Sequence, residues 1–224
     1  MAKITEKQRY LHIQMITTAA SFRQFKYRLG SLLIQVPDEQ QIQVAYETAR
    51  KNDPAIDFPF WARIWPSALV LAAYLDNHPE LYKGKRVVEI AAGLGLPALL
   101  AAKEAKQVIV SDYQPAAIAC MNASIAANAY TNIEALLYNW RHGLPDWEAD
   151  LLLLSDTNYS PQDLAAVEQL IRFYLNQGTQ VLLSTPHRLA GRDMLLALSA
   201  YCKETCVQEL EEQTLTIYRY SKNL

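Results

Sequence analysis

The chain is short of the features that mark several classes of protein. It has three cysteines, Cys120, Cys202 and Cys206, among 224 residues. An odd number, without paired-ligand spacing or neighbouring histidines, argues against a disulfide framework and against a structural zinc site. The thiols read instead as small apolar core residues. An excess of charge of one sign is also lacking, with 21 Lys and Arg against 23 Asp and Glu and an isoelectric point near 6.1. No overall basic field draws the chain to a phosphate backbone, so nucleic acid is not an expected partner. No stretch is apolar for long enough to span a bilayer, and Met1 to Arg9 carry charged and polar groups without an apolar core. The expectation is a cytoplasmic protein with no membrane partner. What is there is a 51% hydrophobic composition, enough for one sizeable core and too little chain for two full enzyme domains.

Periodicity divides the chain at about residue 57. Before it, Glu6 to Lys26 has helical spacing, and two alternating runs, Tyr27 to Val36 and Ile42 to Tyr46, flank Pro37-Asp38-Glu39-Gln40. These predict a helix and a β-hairpin as an extension over 1–57. Residues 58–224 read as one domain. After Phe58-Pro59-Phe60-Trp61-Ala62-Arg63-Ile64-Trp65-Pro66, helical and strand-like stretches alternate. Val87 to Ala91, Gln107 to Ser111, Ile133 to Tyr138, Leu151 to Ser155 and Thr179 to Ser184 are the strand-like runs. Pro97 to Ala105, Pro115 to Ala129, Gln162 to Asn176 and Leu189 to Tyr201 are the helices between and after them. That alternation predicts an α/β fold, a parallel sheet covered on both faces. Thr205 to Leu210 and Thr214 to Tyr220 follow one another without a helix, so the tail adds an antiparallel strand.

The first core strand runs into Gly93-Leu94-Gly95-Leu96-Pro97-Ala98. Glycines there permit a tight turn and close approach of backbone to a ligand. Two acids sharpen the reading. Glu89 sits inside the apolar strand, where an unpaired carboxylate is costly and a cationic ligand group relieves the cost. Asp112 ends the next strand, the position from which doubly wound folds bind ribose hydroxyls. The competing structural reading pairs Glu89 with Lys85 or Arg86 and makes Asp112 a cap for the helix at Pro115. A dinucleotide dehydrogenase has a similar loop, yet it normally lacks the acid within the strand and needs a substrate domain. S-adenosylmethionine is therefore the cofactor favoured by these residues.

At this point the sequence resembles the seven-β-strand protein methyltransferases that include the lysine methyltransferase of the electron-transfer flavoprotein β subunit. The carriers are Phe60 to Pro66, Glu89 to Pro97, Ser111-Asp112, Asn139-Trp140 and Asp156-Thr157-Asn158-Tyr159, the last similar to an Asp-x-x-Tyr signature. The resemblance implies a Rossmann-like, seven-stranded, mostly parallel sheet with an antiparallel C-terminal strand. It implies a methyl transfer from S-adenosylmethionine to a protein nitrogen, lysine favoured, with S-adenosylhomocysteine as product; a small-molecule methyltransferase of the same fold and a non-catalytic S-adenosylmethionine-fold binding module are the alternatives. Position by position, Trp65 closes one side of the cofactor pocket, and Glu89, Gly93 and Gly95 surround the methionine part. Asp112, with Tyr113 beside it, serves the ribose, and Asn139 and Trp140 border the adenine. Ser155 completes the cofactor set, and Asp156 and Tyr159 are the catalytic pair. The loop departs from the family in its Ala91-Ala92-Gly93 start, where Gly-Ser/Ala-Gly is commoner, and Thr157-Asn158 are more polar than the usual apolar pair.

Each of these residues has a structural alternative. Trp61 and Trp65 are also what core or capping aromatics look like, Trp140 suits packing after a strand, and Tyr159 suits a hydrogen bond to backbone. Asp156 carries the stronger signal, because it emerges at the carboxyl end of a buried strand. His187 and Arg188 follow the next strand at the same edge and read equally as substrate-side residues or as a solvated loop.

Overall fold

The computed structural model describes residues 21–28, 30–157, 160–187, 191–210 and 212–222. Seven strands form one sheet in the order β5-β4-β3-β6-β7-β9-β8. They are β3 (Arg86–Ile90), β4 (Gln107–Asp112), β5 (Ile133–Leu137), β6 (Leu151–Ser155), β7 (Gln180–Pro186), β8 (Cys202–Leu210) and β9 (Gln213–Tyr220). Neighbours from β5 to β7 run parallel. β9 enters between β7 and β8 and is antiparallel to both.

Alternation along the central strands sends side chains into two cores. Val87, Leu151, Leu153 and Leu182 face α2 (Pro66–Asn77), α3 (Leu96–Ala101) and α4 (Pro115–Ala127), while Val88, Ile90, Leu152, Leu154, Val181 and Leu183 face α5 (Leu164–Asn176) and α6 (Arg192–Ala197). Burial on both faces explains why these strands read as continuous apolar runs. Each fully buried Leu, Ile or Val there contributes about 1.5–3 kcal/mol.

The N-terminal segment differs from expectation. Residues 6–20 of the expected helix lie outside the described residues, and Ser21 to Lys26 belong to a strand. The hairpin is β1 (Ser21–Tyr27) with β2 (Gly30–Val36). Ile42 to Tyr46 is not its second strand but part of α1 (Glu39–Asn52). The reason is local: Asp38 caps that helix by accepting the Gln41 N–H at 2.9 Å, which stabilises a helix start where a turn was expected. Leu32, Ile34 and Val36 enter the main core. The outer edge of β2 is satisfied by side chains at the end of α4 and at its C-cap: the Leu33 N–H donates to Asn128 Oδ1 at 3.0 Å, the Asn128 amide donates to the Leu33 carbonyl, and the Gln35 N–H donates to Ser124 Oγ. An edge strand whose polar groups are paired in this way is fixed in register. The last predicted helix is shorter, its described part being Arg192–Ala197 followed by a turn at Ser199–Tyr201. Among the described residues no helix is long and apolar enough to cross a membrane.

Candidate active site

Strand order reverses beside β3, whose neighbours β4 and β6 lead the chain in opposite directions, and the crevice at the carboxyl ends of such strands is where open α/β sheets take ligands. A pocket lies there, with Trp65, Gly93, Gly95, Asp112, Tyr113, Asn139, Trp140, Ser155 and Asp156 all in its wall. Five separate stretches of chain supply these nine residues. Glu89 lies beneath the glycine loop, fully buried and outside the wall. Tyr159, Asn158 and Arg188 lie outside the described residues. His187 joins none of this, its Nε2 lying 2.7 Å from Thr216 Oγ1.

Three residues of the loop adopt left-handed backbone: Ala91 with φ +54°, Gly93 with +58° and Gly95 with +71°. At Gly95 a Cβ would come within 3.1 Å of both Met121 Sδ and Val110 Cγ2, so packing and backbone both demand glycine. At Gly93 it would meet the Trp61 carbonyl oxygen at 3.3 Å. Ala91 adopts the same conformation without glycine's freedom, which places strain at the mouth of the strand.

Neither acid follows the structural alternative set beside it. Glu89 pairs with neither Lys85 nor Arg86. Arg86 is engaged by Asp150 at 2.9 Å and by Glu148, whereas Glu89 Oε2 accepts the Ala98 N–H at 2.7 Å. Its Oε1 is buried without a partner. Burial pushes the Glu89 carboxyl up to about 8; the nearby Asp112 charge adds to the rise, and the Ala98 N–H and Ser155 hydroxyl oppose it. Asp112 accepts the Gly93 N–H at 2.9 Å on Oδ2 and the Gln114 N–H at 3.0 Å on Oδ1. It ties the glycine loop to the turn after β4, and Gln114 rather than Asp112 occupies the cap position of α4. Burial raises its carboxyl to about 6 against the pull of those backbone donors.

Trp65 precedes α2, its indole N–H donates to the Phe60 carbonyl at 2.7 Å, and the Arg63 guanidinium lies 4.4 Å above its ring. Trp61 is buried in the main core and also lines the pocket. Asn139 caps the turn Trp140–His142 by accepting the Arg141 N–H at 3.0 Å. Asp156 follows β6 with φ +53°, and its N–H donates to the Ser184 carbonyl at 2.8 Å. A non-glycine residue held in this conformation at a pocket wall marks a place where surrounding structure over-determines the backbone. Sequence reasoning missed Arg63, Arg141 and Asp163, which also line the pocket. Arg63 lies inside the stretch Phe60 to Pro66 and Arg141 directly follows Asn139-Trp140, so their neighbours were the available signal, whereas no spacing joins Asp163 to the glycine loop.

These groups suit S-adenosylmethionine. The unpartnered Glu89 oxygen beneath the loop is a buried acceptor that a cationic ligand compensates, and the indoles of Trp65 and Trp140 add apolar surface to the pocket wall. Residues 60–198 match the family described as lysine methyltransferase. The histone-arginine methyltransferase METTL23 of Homo sapiens is 31% identical over 144 residues, covering 62% of this chain and 76% of that protein. The electron transfer flavoprotein beta subunit lysine methyltransferase of Danio rerio is 31% identical over 138 residues, 60% of this chain and 53% of that one. Among solved structures, the 16S rRNA methyltransferase RsmC of T. thermophilus in complex with AdoMet and guanosine superimposes with a TM-score of 0.64 at 13% identity, covering 92% of this chain and 51% of that chain. That likeness is one of fold. With more than half its length matched, the chain belongs to the lysine methyltransferase family and is an S-adenosylmethionine-dependent methyltransferase.

Proposed function

We propose that this enzyme methylates a lysine side-chain nitrogen of a protein. The observation that carries the reading is Asp156, fixed in a left-handed conformation at the end of β6 and set in the same pocket wall as the glycine loop. Bound S-adenosylmethionine supplies a methyl group already activated on a sulfonium and leaves as S-adenosylhomocysteine. The protein then has to align an incoming lone pair and exclude water. Asp156 orients the approaching amine, with Tyr159 beside it in sequence as a hydroxyl partner; the amine has to arrive neutral to attack. Glu89, Gly93 and Gly95 serve the methionine part, Asp112 and Tyr113 the ribose, Asn139 and Trp140 the adenine, with Trp65 and Ser155 closing the pocket. No described residue before Phe60 lines the pocket, and Arg63 and Arg141 in its wall are exposed, which suits a protein-sized acceptor. The three free cysteines suit a cytoplasmic setting.

Arginine is the second reading, supported by the likeness to METTL23. Purified enzyme incubated with methyl-labelled S-adenosylmethionine and a cell lysate, followed by acid hydrolysis, separates the two. Labelled methyllysine is the expected product; labelled methylarginine selects the second reading, and no labelled protein overturns both. Asp156→Asn and Tyr159→Phe should lower turnover at least tenfold while S-adenosylhomocysteine binds within about twofold of the parent, as expected for groups acting during transfer. Full turnover in both variants would remove the assignment.

A further inference from the structure

We infer that Arg141 is a positioning residue that ties the turn after β5 to the start of α5, so that a ligand held by the turn also steadies Asp163 and the first turn of that helix. The inference rests on the cofactor reading above. Arg141 Nε and one terminal nitrogen donate to the two oxygens of Asp163 at 2.7 and 2.8 Å. This is the two-pronged fit of guanidinium to carboxylate. Asp163 is 5% exposed, and it directly precedes α5, where its carbonyl accepts the Val167 N–H. The guanidinium holds the Asp163 carboxyl below the usual aspartate range. A buried carboxylate needs such a partner, so the pair is kept together by the cost of separating it.

Apolar contacts run alongside. Trp140 and Leu164, the residues next to each member of the pair, pack on the same core. On the Arg141 side the turn is braced by Asn139, and the Tyr138 hydroxyl donates to the Gly143 carbonyl at 2.6 Å. On the Asp163 side the chain leads back seven residues to Asp156. Both Arg141 and Asp163 line the pocket, so one ion pair spans two walls that are 22 residues apart in sequence. Coupling of this kind is reciprocal: whatever steadies one wall steadies the other.

Hydrogen exchange of the full chain with and without saturating S-adenosylhomocysteine tests the inference. In the parent protein the ligand should slow exchange at 93–95, at 138–142 and at 160–167. In Arg141→Ala, protection at 93–95 and 138–142 should persist while protection at 160–167 falls at least fivefold. Arg141→Lys should not restore it, because an ammonium cannot span both oxygens. Equal protection at 160–167 in parent and variants, or rescue by lysine, overturns the inference. So does protection in the parent confined to 93–95 and 138–142. Absence of protection everywhere in the parent overturns the cofactor reading instead. Arg141→Ala leaves the buried Asp163 carboxyl without its partner; should that variant unfold, Arg141→Gln, which keeps a donor toward Asp163, serves with the same expected outcomes.

Discussion

The Ala98 N–H donates to Glu89 Oε2 at 2.7 Å, so a strand acid caps the first turn of the helix that follows the glycine loop. One carboxylate oxygen is spent on structure, and the other is left buried and unpartnered. The same side chain therefore shapes the loop and presents a site for positive charge.

That arrangement makes both binding and stability depend on pH. Burial raises the Glu89 carboxyl from 4.5 to about 8 in the ligand-free protein. The folded state holds this proton more tightly than the unfolded chain, so its contribution to stability is full below about pH 4.5 and is lost as pH rises to about 8. A cationic ligand reverses the preference by favouring the carboxylate. S-adenosylmethionine affinity should then rise from pH 6 to pH 8 and level off above it, with proton release near neutrality detected by calorimetry in buffers of different ionisation enthalpy. Glu89→Gln should be more stable than the parent at pH 9 without ligand and bind at least tenfold more weakly. An affinity independent of pH, with no proton released, removes Glu89 from the cofactor site.

Ala91 stands in left-handed backbone with φ +54°. Glycine relieves about 1–2 kcal/mol of steric cost there, and its freer unfolded chain returns about 0.4–1 kcal/mol of that. Ala91→Gly should raise unfolding free energy by about 0.5–1 kcal/mol in urea titrations. A loss of stability would mean that the surroundings favour the methyl group.

Gly95→Ala combines a left-handed φ with a Cβ 3.1 Å from Met121 Sδ and Val110 Cγ2. Strain and overpacking together should cost about 2–4 kcal/mol, seen as a lower urea midpoint. The substitution is expected to harm folding before it harms chemistry, and a stable variant that merely fails to bind ligand would contradict this.

Asp112 holds the Gly93 and Gln114 N–H groups, so Asp112→Ala should loosen the loop as well as remove a charged acceptor. Cofactor binding should weaken by about 1–3 kcal/mol, accompanied by a lower melting temperature. An unchanged dissociation constant with reduced stability would make its role wholly structural.

Much of this was legible in the sequence, because period and position carry it. Apolar runs alternating with helical stretches specify a doubly covered sheet. A glycine loop after a strand, with acids at Glu89 and Asp112, points to the crevice from sequence alone. The hairpin was misplaced because Ile42 to Tyr46 is too short for its period to decide between strand and helix, and the Asp38 cap decided it. Tertiary structure alone settled the partners. Glu89 meets Ala98 rather than Arg86, Asp112 reaches across to Gly93, and Arg141 finds Asp163. A hydrogen bond depends on where two chains cross, and local spacing holds no record of that. Ala91 and Asp156 make the same point about backbone: their side chains are ordinary, and only the packed sheet around them forces the left-handed turn.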